Sequence, residues 1–301
     1  VEENSIEING ELCIGCGLCV SVCPTGGIAV VEGKATLTDE GSISCGHCEA
    51  VCPQKAIRVA AIDEEMSRYN TFAARRQWLP PGTFDTALLV QLMASRRSCR
   101  RFTSLPVHKS ALEDLVKIGI TAPSGTNCQS WTFTILPTRK AVVSFAEHVA
   151  SFYKKLNATA ENTFLRYFLK LIGRRELDAY YRSYYRKVKE GLKEWHGAGK
   201  DRLFHNGTAA IIVGSRPGAS CPAEDAMLAT QNILLAAHSM GLGSCLIGFA
   251  VEAMKRDPSI QRSVGIPAGE HIHAVISLGH PDEVYRAIAG RKRVIQRFFE
   301  G

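Results

Sequence analysis

No stretch of about 20 apolar residues occurs in the 301-residue chain, so nothing in it reads as a membrane-spanning helix. The most apolar long stretch, residues 233–251, is broken by His238, Ser239 and three glycines, and reads as a buried helix followed by a loop. The opening VEENSIE has neither the basic nor the apolar region of a secretory signal, which predicts a cytoplasmic protein; it also lacks an initiator Met, which leaves room for a trimmed start. No G-x-G-x-x-G segment for a dinucleotide is present. Apolar content of 46% and charged content of 22% exclude collagen-like and disordered chains.

Cysteine is scarce over most of the chain and dense in one part. Seven of the eleven lie between Cys13 and Cys52; the others are Cys99, Cys128, Cys221 and Cys245. An odd count without a secretion signal argues against a disulfide scaffold and for metal binding.

Charge divides the chain. Residues 1–66 carry a net −8, so residues 67–301 carry +15, and residues 154–202 alone carry +7. An acidic head on a basic body predicts two separately built units. The basic face would attract an anion, a nucleic acid or an acidic protein, but no nucleic-acid-binding motif accompanies it. The boundaries expected are a head at 1–62, a linker at 63–83 ending in Pro80-Pro81-Gly82, and a body at 84–301. In the body, Leu88, Leu89, Leu92 and Met93 recur at helical spacing, as do Leu112, Leu115, Val116 and Ile120. Residues 131–136, 208–213 and 272–278 read as strands, and 224–240 as a helix stopped by Gly241. Residues 150–203 read as a helical insert with a breaker at Gly173; Phe164, Phe168, Leu171, Leu177, Tyr181, Tyr184, Val188, Leu192 and Trp195 form its apolar face. Such an insert is a packed hairpin, a lid, or a dock for an acidic head.

The head contains a repeat. Cys13-Ile-Gly-Cys16-Gly-Leu-Cys19-Val-Ser-Val-Cys23-Pro24 matches C-x2-C-x2-C-x3-C-P throughout. Three thiolates on a tight loop can cap one face of an iron–sulfur cubane, and glycine lets the backbone curl around it. Ser42-Ile-Ser-Cys45-Gly-His-Cys48-Glu-Ala-Val-Cys52-Pro53 aligns with it, with Ser42 in the first cysteine position. Residues 6–60 therefore resemble a bacterial-type two-cluster [4Fe–4S] ferredoxin. The crossed ligation of that family implies one cluster on Cys13, Cys16, Cys19 and Cys52, and a second on Cys23, Cys45 and Cys48. The fourth corner of the second is open to Ser42 or solvent, with a three-iron cluster as the alternative and His47 as a distant third candidate.

Four body segments carry a second signature: Ser95-Arg-Arg-Ser-Cys-Arg-Arg-Phe102; Ala122-Pro-Ser-Gly-Thr-Asn-Cys-Gln-Ser-Trp131; Gly241-Leu-Gly-Ser-Cys-Leu-Ile-Gly248; and Leu278-Gly-His-Pro281 with the basic tail Arg291-Lys-Arg293. In this order they resemble the FMN-dependent nitroreductase family, departing from it at Ser130, where Pro is usual. The resemblance implies an α+β fold, an antiparallel sheet flanked by helices, and a homodimer with FMN at its interface. It implies that Arg96, Ser98 and Arg100 hold the FMN phosphate and that Arg97 lies along the ribityl chain or ring. Arg291, or alternatively Arg293, would close on the phosphate. Pro123, Ser124 and Asn127 would border the ring and ribityl chain, and Leu246, Ile247 and Gly248 would present backbone N–H groups to flavin N5. Cys99, Cys128 and Cys245 read as small buried thiols.

Together the two signatures predict an FMN-dependent oxidoreductase. Electrons would pass from the clusters to FMN and then to an organic acceptor, a nitroaromatic or quinone. The donor would be ferredoxin-like or NAD(P)H, with neither nucleic acid nor membrane as partner. Other flavin chemistry, dehydrogenation or reductive dehalogenation, and a pure electron-transfer module are the alternatives. No side chain stands out as a catalytic acid.

Overall fold

The computed structural model describes residues 6–301; the first five residues of the opening segment lie outside them. The head is two interlocked copies of one small unit. Strand β1 (Ile6–Ile8) pairs antiparallel with β4 (Ile57–Val59), and β2 (Ile28–Val31) with β3 (Lys34–Leu37). The short helices α1 (Leu18–Ser21) and α2 (His47–Val51) each follow a cysteine loop. Gly17 and Gly46, one before each helix, are both left-handed, with φ of 75° and 74°. Gly15 is left-handed as well, and a Cβ there would lie 2.1 Å from the Gly33 carbonyl oxygen, which excludes any side chain. Ser44, its counterpart in the second run, keeps the left-handed backbone at φ 50° despite its Cβ, at a cost of about 1–2 kcal/mol.

The linker is clamped. After a 3-10 turn at Glu64–Ser67, the backbone N–H groups of Asn70 and Thr71 and the Thr71 hydroxyl all donate to the carboxylate of Asp114, which is fully buried in the body. Burial pushes the Asp114 carboxyl up, but these donors outweigh it and hold it below its usual range.

The body begins with α3 (Thr86–Ser95), capped by Asp85, and α4 (Lys109–Gly119). Strand β5 (Trp131–Leu136) follows, then α5 (Arg139–Glu161), capped by Thr138. The helix α5 runs unbroken through residue 150, with Val149, Tyr153, Asn157 and Ala160 buried, so the insert begins at residue 162 rather than 150. The insert is α6 (Thr163–Leu171), α7 (Glu176–Ser183) and α8 (Tyr185–Ala198). Its expected apolar face is divided. Val188, Leu192 and Trp195 pack on the core, whereas Phe164, Phe168 and Leu171 are exposed. Then come β6 (Ala209–Ser215), α9 (Pro222–Ser239), β7 (Gly243–Leu246), α10 (Gly248–Arg256), α11 (Pro258–Ser263) and β8 (His271–Gly279).

The four body strands form one antiparallel sheet in the order β5-β6-β8-β7. Strand β6 is buried along its whole length, as its unbroken apolar run requires of a strand covered on both faces. One face packs against α4 and α9 through Leu112, Leu115, Ile211 and Ile233. The other packs against α5, α10 and α11 through Phe145, Ile212, Met254 and Ile260. The fold is therefore α+β, as expected. Among the described residues no helix is long and apolar enough to cross a membrane.

Candidate cluster and flavin sites

The seven head cysteines line two hollows. Cys13, Cys16, Cys19 and Cys52 line the first; Cys23, Cys45, Cys48 and Ser42 line the second. The last cysteine of each run thus serves the other run's site. Among the described residues no three His, Cys, Asp or Glu side chains converge as a single ion would require, whereas a cluster, being larger, holds its ligands further apart. The donor set of soft thiolates fits iron–sulfur clusters. Backbone N–H groups point at the sulfurs: Ala35 to Cys13 Sγ and Ala56 to Cys52 Sγ, each at 3.3 Å. The Ala35 and Gly15 N–H groups pull the Cys13 thiol below its ordinary range. In the second hollow the Ser44 N–H donates to Ser42 Oγ at 3.0 Å, the kind of donor that stabilises an oxyanion. His47 is exposed on the rim.

The flavin segments form two groups. In the first, the chain leaving α3 runs beside β7: Ser98 bridges Ser244, and the Cys99 N–H donates to the Ser244 carbonyl at 2.9 Å. Residues 280–283 zip onto 100–103 through the bridge Phe102–Pro281, the Thr103 N–H to the His280 carbonyl, the Asp282 N–H to the Arg101 carbonyl, and the Arg100 N–H to Glu283 Oε1 at 3.1 Å. This pairing leads the C-terminal tail back to the end of α3. Burial, then the guanidiniums of Arg291 and Arg97, push Arg96 below its usual range. A group of cations whose charges act on one another in this way fits the phosphate of FMN. Ser244 Oγ beside them is buried without a hydrogen-bond partner among the described residues, a polar atom suited to a bound ligand.

Alternation along β7 decides which backbone groups face a ligand. The Ile247 N–H is already donated to the Val275 carbonyl at 2.8 Å, so it is not available to a flavin, contrary to the expectation for that residue. In an antiparallel pair neighbouring residues point their groups in opposite directions. Leu246 therefore aims its N–H away from β8, on the side where Ser244 meets Cys99. Gly248 opens α10, where first-turn N–H groups have no partner within the helix. Leu246 and Gly248 are exposed.

The second group is the loop of Pro123, Ser124 and Asn127. It is held by α9 and by the head. Gly125 N–H donates to Asp225 Oδ1 at 3.0 Å, and Thr126 and Ser220 hydroxyls meet at 3.1 Å. Thr126, Asn127 and Gln129 all have positive φ. The Asn127 amide is engaged within the chain. Its Nδ2 donates to the Ile43 carbonyl at 2.9 Å and the Ser44 carbonyl at 3.1 Å, and its Oδ1 accepts from Gln129 Nε2 at 3.1 Å. These hydrogen bonds tie the loop to neighbours other than the arginines. Burial pushes the Cys99 and Cys245 thiols up, as for inert core cysteines. Burial also raises Cys128, but N–H and hydroxyl donors of Ser220 and Ser130 outweigh it and lower that thiol.

An antiparallel α+β body with an arginine cluster at a sheet edge, joined to a head with two thiolate-lined hollows, defines an iron–sulfur flavoprotein. The nitroreductase family profile matches residues 93–280, and a 4Fe-4S dicluster domain profile matches residues 11–57. The chain belongs to the nitroreductase family and is an FMN-dependent oxidoreductase carrying an N-terminal 4Fe–4S ferredoxin-type domain. An Archaeoglobus fulgidus protein provisionally named NADH dehydrogenase/NAD(P)H nitroreductase is 23% identical over 64% of this chain and 86% of its own length. The iodotyrosine deiodinase of Thermotoga neapolitana is 25% identical over 65% of this chain and 90% of its own. An FMN-bound nitroreductase structure from Desulfitobacterium hafniense shares the fold, with a TM-score of 0.50, 21% identity, and coverage of 69% of this chain and 97% of that one.

Proposed function

We propose that this protein draws single electrons through two head clusters onto FMN and delivers them in pairs to a small aromatic or conjugated acceptor, a nitroaromatic or quinone. The observation that carries this reading is the direct seating of a cluster-bearing loop on a flavin-family loop, through Asn127 and the carbonyls of Ile43 and Ser44. FMN, when bound, supplies two-electron chemistry. The residues of this chain supply its surroundings. Arg96, Ser98, Arg100 and Arg291 would hold the phosphate, with Arg97 along the ribityl chain or ring. The Leu246 and Gly248 N–H groups favour negative charge at the ring edge. The Thermotoga relative supports halogenated aromatics as a second acceptor class.

A homodimer suits the site. The arginine group and the 123–127 loop are held by different neighbours in one chain, and a site shared by two protomers would unite them. α3 leaves Leu88 and Val90 each 56% exposed, and Phe298 and Phe299 in the tail are 89% and 94% exposed, apolar area that a second copy would cover. Sedimentation of the holoprotein is expected to give twice the 32.8 kDa chain mass. The functional test is anaerobic: the clusters are reduced with dithionite, flavin bleaching is followed, and nitroaromatic, quinone and halogenated acceptors are added in turn. Reoxidation by one class with multiple turnovers identifies it; a flavin that never bleaches after the clusters would refute the reading.

A further inference from the structure

The loops of the two hollows are not equivalent in their relation to the body. The second hollow is walled in part by Ser42, Ile43 and Cys45. Between Ser42 and Cys45, the carbonyls of Ile43 and Ser44 receive both hydrogen bonds of the Asn127 amide. Ser44 is buried there. The loop that carries Asn127 is itself fixed by Asp225 of α9 and by Ser220, two residues before that helix. Both hollows are lined by head residues alone, and only the loop of the second receives hydrogen bonds from the body. The hydrogen bonds on the ligands of the first hollow stay within the head: Lys34 Nζ to the Cys13 carbonyl, Ala35 to Cys13 Sγ, Ala56 to Cys52 Sγ. Cys16 on its wall is exposed, and Leu12, Ile14, Leu18 and Val20 around it are exposed too, Ile14 by 62%.

We propose that the cluster on Cys23, Cys45 and Cys48 is the one that delivers electrons to the flavin domain, that the cluster on Cys13, Cys16, Cys19 and Cys52 receives them from outside, and that Asn127 is the positioning residue holding the delivering loop. This order rests on the relay reading above and deepens it. Each step moves one electron. An external low-potential one-electron reductant is oxidised as the first cluster is reduced, and the first is reoxidised as the second is reduced. No bond forms or breaks between them. Two such passages supply the electron pair for FMN, and solvent supplies protons. Asn127 fits the role for a physical reason. An amide NH2 has two donors, and both are engaged by adjacent carbonyls of one loop, which fixes that loop in distance and rotation.

The experiment compares wild type, Asn127→Ala, Asn127→Gln and Cys45→Ala holoproteins under anaerobic stopped flow, with dithionite as reductant. Cluster and flavin absorbance are read separately, and rates are normalised to bound FMN. Redox titrations monitored by EPR run in parallel. In Asn127→Ala, flavin bleaching through the clusters is expected to slow about tenfold or more, as for other losses of positioning. The potential of the Cys23/Cys45/Cys48 cluster should shift, that of the other should not, and Asn127→Gln should recover part of the rate. In Cys45→Ala, the first cluster should still reduce while the flavin does not. Wild-type rates and potentials in Asn127→Ala, a shift confined to the first cluster, or wild-type flavin bleaching in Cys45→Ala would each overturn the order. In those outcomes wild type still bleaches its flavin after its clusters, so the relay itself survives; a wild type that does not would remove both.

Discussion

Cys99 fills the space that a side chain at Gly243 would need: a Cβ there would lie 2.8 Å from both Cys99 Cβ and Sγ, and 3.0 Å from the ring of Phe102. Gly279 stands in the same relation to Phe102, at 2.8 Å. The glycines of two motifs are thus the floor on which a third motif lies, and they bring the end of α3 against β7. Gly243→Ala is expected to destabilise the body by about 1–3 kcal/mol through overpacking. It should also lower FMN occupancy, because Arg96, Arg97 and Arg100 flank Cys99. Thermal melts of apo and FMN-loaded protein check both effects; an unchanged apo melting temperature would contradict the first.

Arg96→Ala should weaken FMN binding about ten- to hundredfold, the loss expected for a charge-assisted phosphate contact. Riboflavin, which lacks the phosphate, should bind wild type and variant alike. Fluorescence titration of deflavinated protein with the two ligands separates a phosphate role from a general loss of fold.

The Asp114 clamp is expected to be pH-dependent. Its carboxyl lies below the ordinary value of 3.8 in the folded protein, so its stabilisation is complete above that value. It is lost as pH falls from 3.8 through the lower folded value. Asp114→Ala leaves the Asn70 and Thr71 donors unanswered and should cost about 2–4 kcal/mol, a fall in melting temperature of roughly 5–15 °C. Asp114→Asn should remove most of the acid dependence. Urea melts between pH 3 and 6 give the slopes for comparison.

Ser42→Cys should make the second cluster resemble the first. Three thiolates and one hydroxyl hold iron less firmly than four thiolates, even with the Ser44 N–H helping the oxygen. Iron loss in air is expected to be biphasic in wild type and closer to one phase in the variant, with one reduction potential shifted. Iron assays and EPR on samples prepared in parallel decide it; identical traces would mean that Ser42 does not distinguish the sites.

Much of this was legible from local chemistry. The cysteine spacing located both hollows, and alternation over residues 131–136 located β5 with its bounds. What was missed depended on partners distant in sequence. The family motif marks the Asn127 loop, but not that its amide donates to backbone carbonyls 83 and 84 residues away, because a carbonyl has no sequence signature. The Asp114 clamp was invisible for the same reason, its donors being mainly backbone N–H groups. Ile247 failed as a donor because strand register, which fixes the direction of each N–H, is set only when β7 meets β8. No breaker interrupts α5 at residue 150; Asn162, which caps α6, is the punctuation.

The exchange of Cys23 and Cys52 between the two hollows bears on how such a head could arise. Neither run can close its own site, so a chain with a single run would hold a complete set of thiolates only by borrowing one from a second molecule. Duplication within one chain turns that loan into a covalent certainty and makes the pair of runs the smallest inheritable unit. It also frees one run to vary. Ser42 could replace a cysteine in the second site while all four thiolates of the first, one of them contributed by the altered run, remained in place.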